Sequence, residues 1–342
     1  MTKNKKLKAV LGIIVFLLVL SLMYVVLKAV DDRQDDLDDY EEDSIDDAEI
    51  IFDNIIYELD HPVKSYLIMG TDGSGNENVK GEEYQGAMAD FLMLMVVDEK
   101  AKKFGFLEIN RDTIAEIPMM DHRGEVVEYR DMMLCTAHWY GGSKRMSCIN
   151  TVNAVSTFLC DVPINGYLAI PMDHISDLNH ILGGVTVTLE DDFTSEDPAM
   201  KQGETLTLTD DQAAIFLRGR MSVGDGENTS RMRRQKAYME AAFEQIKQQN
   251  ANDTKFVAKA YKQIMEYATS DIDMKVINKL AQNMESYESL GILQLKGESA
   301  KGQSLDDGLI HTEFYADPDS IKEAVFALYP LVDTGIKAED EE

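Results

Sequence analysis

The sequence predicts an α/β (α+β) fold, and three observations predict it. Short apolar runs stopped by glycine or polar turns, such as "SYLIM" before Gly70, read as strands. Segments with apolar residues at helical spacing, such as "MSCINTVNAVSTFLC", lie between those runs. Strands and helices that alternate along a chain specify the α/β and α+β classes. No Pro/Gly-rich linker divides residues 61–335, so they read as one domain.

The elements follow in order. Lys3, Lys5, Lys6 and Lys8 precede an unbroken apolar run from Ala9 to Leu27. About 20 apolar residues in a helix span a bilayer core. The expectation is a cytoplasmic tail at 1–8 and a transmembrane helix at 9–28, with the remainder extracytoplasmic, because lysines stay inside. The run is long for a signal peptide, and no small-residue cleavage site follows it. Residues 29–60 read as an acidic stalk: 31–60 hold fifteen Asp or Glu against one Arg. EF-hand spacing is missing there, so calcium binding is not expected.

Next come "SYLIMG", then two strands in "ADFLMLMVVDEKAKKFGFLEIN" joined by a polar turn at Glu99–Lys103. "INGYLAIPM" and "VTVTLE" read as strands, with a helix near Ile175–Leu182 stopped by Gly183-Gly184. "TDDQAAIFLRGR" opens with capping residues and reads as a helix, and "RMRRQKAYMEAAFEQIKQQN" as a longer one. Residues after Asn252 read as helices, then "GILQLKG" as a strand and 336–342 as an acidic tail.

The net charge of -29 argues against nucleic acid as a partner. Cys135, Cys148 and Cys160 have no CxxC spacing, so a metal site of thiolates is not expected; one disulfide or three thiols both remain open.

Charge collects at three places. Asp72 follows the first buried strand. Asp90 opens the next, and Arg111 and Asp112 close the one after. "LRGRMSVGDGENTSRMRRQ" holds Arg218, Arg220, Arg231, Arg233 and Arg234, half of the chain's ten arginines. Strand ends of open α/β sheets bind ligands. Two carboxylates there suit Mg²⁺ with phosphate oxygens, and guanidinium forks suit phosphate. Arg231 and Arg234 share a helix face, at a helix start that favours an anion, while Arg233 points elsewhere as surface charge. The bland alternatives are a local Arg111–Asp112 pair, caps made by the aspartates and a solvated basic helix face.

The blocks "YLIMGTD", "ADFLMLMVVDEKAKKFGFLEINRDTIAEIP", "AHWYGG", "INGYLAIPMDHISDLNHILGGVTVTL", "LTDDQAAIFLRGR" and "RMRRQ" resemble, in order and spacing, those of the LytR-CpsA-Psr family. The resemblance covers Tyr66 to about Gln245. It implies a mixed central β-sheet flanked by helices, with a hydrophobic lipid-binding tunnel. It also implies a membrane-anchored transferase of Gram-positive cell envelopes. Such an enzyme moves a teichoic acid or capsular polysaccharide from polyprenyl pyrophosphate to a peptidoglycan sugar hydroxyl, forming a phosphodiester. By position, Asp72 and Asp90 match the Mg²⁺ carboxylates, and Arg111 matches the arginine of a "PRD" block. Arg218 and Arg220 match an "R-x-R" pair, and Arg231 and Gln235 an "R-x-x-R-Q" helix start. With Arg234 these are the expected pyrophosphate ligands.

The sequence also departs from the family. Met88 stands where an arginine usually precedes the second carboxylate. Asn228 stands where an acid usually precedes the helix arginines, which leaves Asp225 or Glu227 as substitutes; Asp225 and Arg111 are the expected catalytic pair. Cys135 replaces an asparagine and Asn179 an aspartate. A polyprenyl-pyrophosphate hydrolase and a non-catalytic polyprenyl-phosphate-binding protein are therefore kept as rivals, with reduced activity as a consequence of the lost charges. A DNA-binding regulator is not expected, since about eight residues precede the apolar run.

Overall fold

The computed structural model describes residues 49–338, except 74, 76–83, 122, 220–222, 224–227, 284, 285 and 306. The expected cytoplasmic tail, membrane helix, most of the stalk, Arg220 and Asp225 lie outside the described residues. Among the described residues no helix is long and apolar enough to cross a membrane.

Strands β1 (Ile50–Phe52) and β2 (Ile55–Leu59) come first, then β3 (Lys64–Thr71), β4 (Ala89–Asp98) and β5 (Lys103–Ile109). A hairpin of β6 (Ile114–Met120) and β7 (Val126–Met133) leads into a 3-10 turn at Leu134–Trp139 and helix α1 (Lys144–Phe158). Strand β8 (Gly166–Pro171), helix α2 (Ile175–Leu182), the small pair β9 (Thr186–Thr188) and β10 (Thr205–Thr207), and helix α3 (Asp210–Arg218) follow. Then come α4 (Asn228–Asn252), α5 (Phe256–Ile264), β11 (Thr269–Ser270), α6 (Met274–Asn283), β12 (Glu288–Gln294), the hairpin β13 (Gly297–Gly302) and β14 (His311–Ala316), α7 (Pro318–Leu328) and β15 (Leu331–Lys337).

The central sheet has six strands in the order β11-β8-β3-β4-β5-β12. β3 runs parallel to β8 and antiparallel to β4, and β12 runs parallel to β5, so the sheet is mixed. Strand β3 is buried along nearly its whole length, which is why its sequence is continuously apolar rather than alternating. One face carries Leu67, Met69, Leu92, Leu94 and Leu107, packed under α1, the 3-10 turn and α7. The opposite face carries Met93, Val97, Phe104 and Phe106 under Met239 and Phe243 of α4. A second core gathers α2, α3 and β9 around Phe193 and Phe216.

The helix ends have local causes. Thr209 and Gln212 form a reciprocal capping box at the start of α3, which satisfies backbone donors the helix leaves open. Gly183 ends α2 in a left-handed conformation at φ 78°, which glycine adopts without steric cost.

Two expected boundaries move. Residues 50–59, expected within the stalk, form β1 and β2, and β2 lies between β1 and β15 in a three-stranded sheet. The acidic run masks an apolar alternation in which Ile50, Phe52 and Tyr57 are buried against the core. The expected acidic tail also starts late, because β15 extends to Lys337. All three cysteines are free thiols: Cys135 and Cys148 are buried, and Cys160 is half-buried.

Candidate functional site

The ends of β3, β4 and β5 meet at one edge of the sheet. The β3–β4 register passes from Gly70–Phe91 to Thr71–Ala89, which leaves Asp90 as the extra residue of a β-bulge. A bulge re-aims its side chain. Asp72, one residue past β3, donates its N–H to the Met88 carbonyl (2.9 Å) and accepts the Met88 N–H on Oδ1 (2.9 Å). After β5, the Asp112 N–H donates to Asn110 Oδ1 (3.0 Å) and the Thr113 hydroxyl to the Asn110 carbonyl (2.6 Å). This turn holds Arg111 in place.

Two guanidinium groups converge on Asp90. Arg111 donates to Oδ1, and its Nε lies 3.0 Å from Asp112. Arg231, from the first turn of α4, reaches Asp90 Oδ2 at 3.5 Å and the Asp90 carbonyl at 3.4 Å. Burial works against the charge on Arg111, but Cys135, once its thiol ionises at high pH, with Asp90 and Asp112, outweighs that and holds its pKa above the ordinary value. Cys135 lies within electrostatic reach of Arg111, Asp112, Asp90 and Asp72, and burial pushes its thiol up to about 12. It is therefore a neutral filler beneath the charged cluster. Asn228 ties the start of α4 to this edge by donating to Asn110 Oδ1 (2.6 Å). The edge thus combines a helix N-terminus with two arginines, a combination that favours an anion.

The other predicted residues divide. Arg218 ends α3 with its side chain half exposed and pairs with Asp173 at 2.8 Å. Arg233 is surface charge as expected, paired with Glu190 and Asp191. Arg234, expected to bind pyrophosphate, is instead a scaffold residue. Its guanidinium pairs with Asp191 (2.9 Å), donates to the Phe216 carbonyl (3.0 Å) and the Gly219 carbonyl, and lies over the Phe193 ring. Helical spacing put Arg231 and Arg234 on one face; the packing of α3 against that face consumes Arg234. Gln235 is buried and lines an apolar cavity.

That cavity, of about 320 Å³, lies between the sheet face bearing Ile68 and Phe91 and helices α2, α4, α5 and α6. Four of its lining residues adjoin predicted site residues in the chain. Gly70, Phe91, Leu217 and Gln235 line it, each within two residues of Asp72, Asp90, Arg218 or Arg234. Asn110, Asp173 and Asp191 were missed by the sequence reading; Asn110, next to Arg111 in "EINRDT", was the one with a local signal.

A LytR_cpsA_psr family model matches residues 22–321. The chain belongs to this family. Over 184 residues it is 30% identical to the polyisoprenyl-teichoic acid–peptidoglycan teichoic acid transferase TagU of Halalkalibacterium halodurans, covering 54% of this chain and 53% of that protein. The chain spans about half the length of the curated relatives it matches. TagV of B. subtilis superposes with a TM-score of 0.59 at 20% identity, over 78% of this chain and 95% of that one. TagT bound to LIIa-WTA superposes with a TM-score of 0.57 at 21% identity, over 78% and 89%. These likenesses carry the mixed α/β fold.

One departure of this family member, Asn179, has a structural cause. Asn179 is buried; its Nδ2 donates to the Leu208 carbonyl (3.1 Å) and to Asp210 (2.9 Å), while its Oδ1 accepts from Val185 N–H and the Tyr238 hydroxyl. An aspartate cannot make the two donations. Met88 keeps the backbone bonds to Asp72 but brings no guanidinium. Asp72 and Asp90 fit Mg²⁺ by donor chemistry: both offer hard oxygens at adjoining strand ends. Among the described residues no group of three or more His, Cys, Asp or Glu could hold a metal.

Proposed function

We propose that this chain is a membrane-anchored, extracytoplasmic, Mg²⁺-dependent transferase of lipid-linked glycopolymers. The donor is a teichoic acid or capsular polysaccharide on polyprenyl pyrophosphate, the acceptor a peptidoglycan sugar hydroxyl, and the product a phosphodiester. The observation that carries this reading is an apolar cavity lined by Gly70 and Phe91, which adjoin Asp72 and Asp90 in the chain, where Arg111 and Arg231 both pair with Asp90. A pyrophosphate there places its lipid in the cavity, which then serves as the tunnel's inner part.

The acceptor oxygen attacks the phosphorus next to the sugar. The bond to the bridging oxygen breaks, and polyprenyl phosphate leaves with that oxygen and its electron pair. Arg111 and Arg231 donate to phosphate oxygens, exchanging part of their contact with Asp90; Arg218, at the end of α3, adds a further guanidinium, and Arg220 is the other expected ligand of the pair. Asp72 and Asp90 would hold Mg²⁺, which supplies charge neutralisation of the pyrophosphate. Asp225 takes the acceptor proton. Catalysis on this scheme is positioning and electrostatics.

The test uses the full chain in detergent with Mg²⁺ and a lipid-pyrophosphate oligosaccharide, with and without a peptidoglycan glycan acceptor. Transfer is expected only with the acceptor. Release of polyprenyl phosphate without transfer would replace this reading by the hydrolase. Binding without turnover in both would replace it by the non-catalytic binder.

A further inference from the structure

A second pocket, of about 390 Å³, opens between the segment at Tyr84 and Gln85 and the turn at Trp139–Gly142, with Asp121 at its rim. We infer that this pocket binds a hexosamine ring of the acceptor glycan, an assignment that rests on the transferase reading above.

The lining has the chemistry a pyranose needs. A sugar ring presents C–H bonds on its faces and hydroxyls around its rim. Aromatic faces carry the negative end of the ring quadrupole and accept such C–H bonds. Tyr84, Trp139 and Tyr140 provide the aromatic surfaces, and Asp121 and Gln85 provide rim acceptors and donors. A few placed polar groups among aromatic walls is the usual make-up of a ligand site of this size.

The walls are held rigidly. The Ser147 hydroxyl donates to the Tyr140 carbonyl (2.9 Å), so the Tyr84 hydroxyl donates to Ser147 (2.9 Å) and the two tyrosine segments are linked. The Gly86 N–H donates to the Trp139 carbonyl (3.1 Å), and His138 Nδ1 donates to the Ala87 carbonyl (2.8 Å). A Cβ on Gly86 would sit 2.0 Å from the His138 carbonyl oxygen, so only glycine permits this approach. Asp121 accepts the N–H groups of Arg123 (2.8 Å) and Glu125 (3.1 Å), which fix its carboxylate at the rim.

Placement argues for the acceptor rather than the donor glycan. Gln85, in the pocket's lining, is three residues before Met88, which is bonded to Asp72, and five before Asp90. The 3-10 turn and α1, which build the pocket, pack on the sheet face of Leu67, Met69 and Leu92. The apolar cavity lies on the other face, under Ile68 and Phe91. Phosphoryl transfer sets the attacking and leaving oxygens in line on opposite sides of phosphorus. With the lipid phosphate leaving toward one face, the attacking sugar comes from the other.

Trp139 is the chain's single tryptophan, so its fluorescence reports on this pocket alone. The full chain in detergent micelles is titrated with chitotetraose as the hexosamine probe and, separately, with a lipid-free glycerol phosphate oligomer as the donor-type probe. A saturable fluorescence change with chitotetraose and none with the oligomer is expected. Tyr84→Ala is expected to weaken chitotetraose about fivefold to tenfold, the loss of one aromatic contact. Asp121→Asn and Gln85→Ala weaken it without altering the unfolding transition or polyprenyl phosphate binding, and they carry the test if Tyr84→Ala does not fold. A response to the oligomer instead, or to neither probe, overturns the inference. Glycan binding without transfer removes the transferase reading and leaves the subsite; transfer without a Trp139 response does the reverse.

Discussion

Arg234 and Asp191 form a buried ion pair: Nη1 lies 2.9 Å from the carboxylate, and the two side chains are 3% and 10% exposed. The same guanidinium holds the carbonyls of Phe216 and Gly219, the residues on either side of Leu217 and Arg218. Arg234 therefore braces the end of α3, which carries Arg218. Removing one partner of such a pair leaves a buried charge uncompensated, which costs about 3–5 kcal/mol. Arg233 also contacts Asp191 and offsets part of that, so Arg234→Met is expected at the lower end. Urea unfolding measures it; an unchanged midpoint would return Arg234 to the ligand set.

Arg218 predicts the opposite profile. Its pair with Asp173 is exposed, and such pairs contribute about 0–1 kcal/mol. Arg218→Ala is expected to leave the unfolding transition in place and to weaken lipid-pyrophosphate binding, read by a vesicle-free binding assay. Loss of stability with unchanged binding would mean that the exposed arginine has no part in the site.

These two residues mark what the sequence could show. Both belong to one arginine-rich segment, and neither charge nor spacing separates a ligand from a brace. The separating fact is Asp191, 43 residues away, whose contact depends on how α3 and β9 pack on α4. The strands around Asp72, Asp90 and Arg111 were legible because buried strands are continuously apolar and their charged ends stand out. The bulge at Asp90 and the Asn228–Asn110 bond were not, since register and long-range pairing leave no local pattern. β1 and β2 were hidden by the acidic residues in and around them, Glu49, Asp53, Glu58 and Asp60, and β15 shows no regular apolar alternation.

Asp72 is the cleaner residue for testing the metal, because Asp90 also anchors Arg111 and Arg231. Chelation is expected to abolish transfer and added Mg²⁺ to restore it. Asp72→Asn removes one anionic oxygen ligand while keeping a side-chain oxygen for the Met88 N–H. It is expected to raise the Mg²⁺ concentration needed for half-maximal transfer without moving the unfolding midpoint. Equal Mg²⁺ dependence in wild type and variant would remove Asp72 from the metal site.

Glu108 predicts a pH effect. It is buried on β5 opposite α4; burial pushes its carboxyl from 4.5 up to about 7, against a hydrogen bond from Gln294 and the nearby charges of Lys236 and Arg231. The folded state thus keeps a proton that the unfolded chain releases at lower pH. Stability conferred by the neutral acid is full below about 4.5 and falls as pH rises to about 7, then levels off. Glu108→Gln lacks this loss. The variant's advantage in thermal unfolding is expected to open between those two pH values, reaching at most about 3 kcal/mol. A constant difference from pH 4 to 8 would show that the Glu108 carboxyl titrates in the fold as it does in the unfolded chain.

The apolar cavity gives the sharpest separation between lipid and headgroup recognition. Ala260 of α5 lines it far along the chain from Asp72 and Asp90, on a helix whose apolar residues Phe256, Val257 and Ile264 also face the space. Ala260→Phe fills room that a polyprenyl chain would occupy and adds no charge. Each buried methylene contributes about 0.8 kcal/mol, so excluding two to three of them weakens a long-chain polyprenyl phosphate about thirtyfold. Inorganic pyrophosphate, which needs only the arginines and carboxylates, is expected to bind the variant as it binds the wild type. Calorimetry with the two ligands reads both. If pyrophosphate binding falls with the lipid, the helix was displaced; if neither falls, the lipid runs elsewhere and the cavity is not its site.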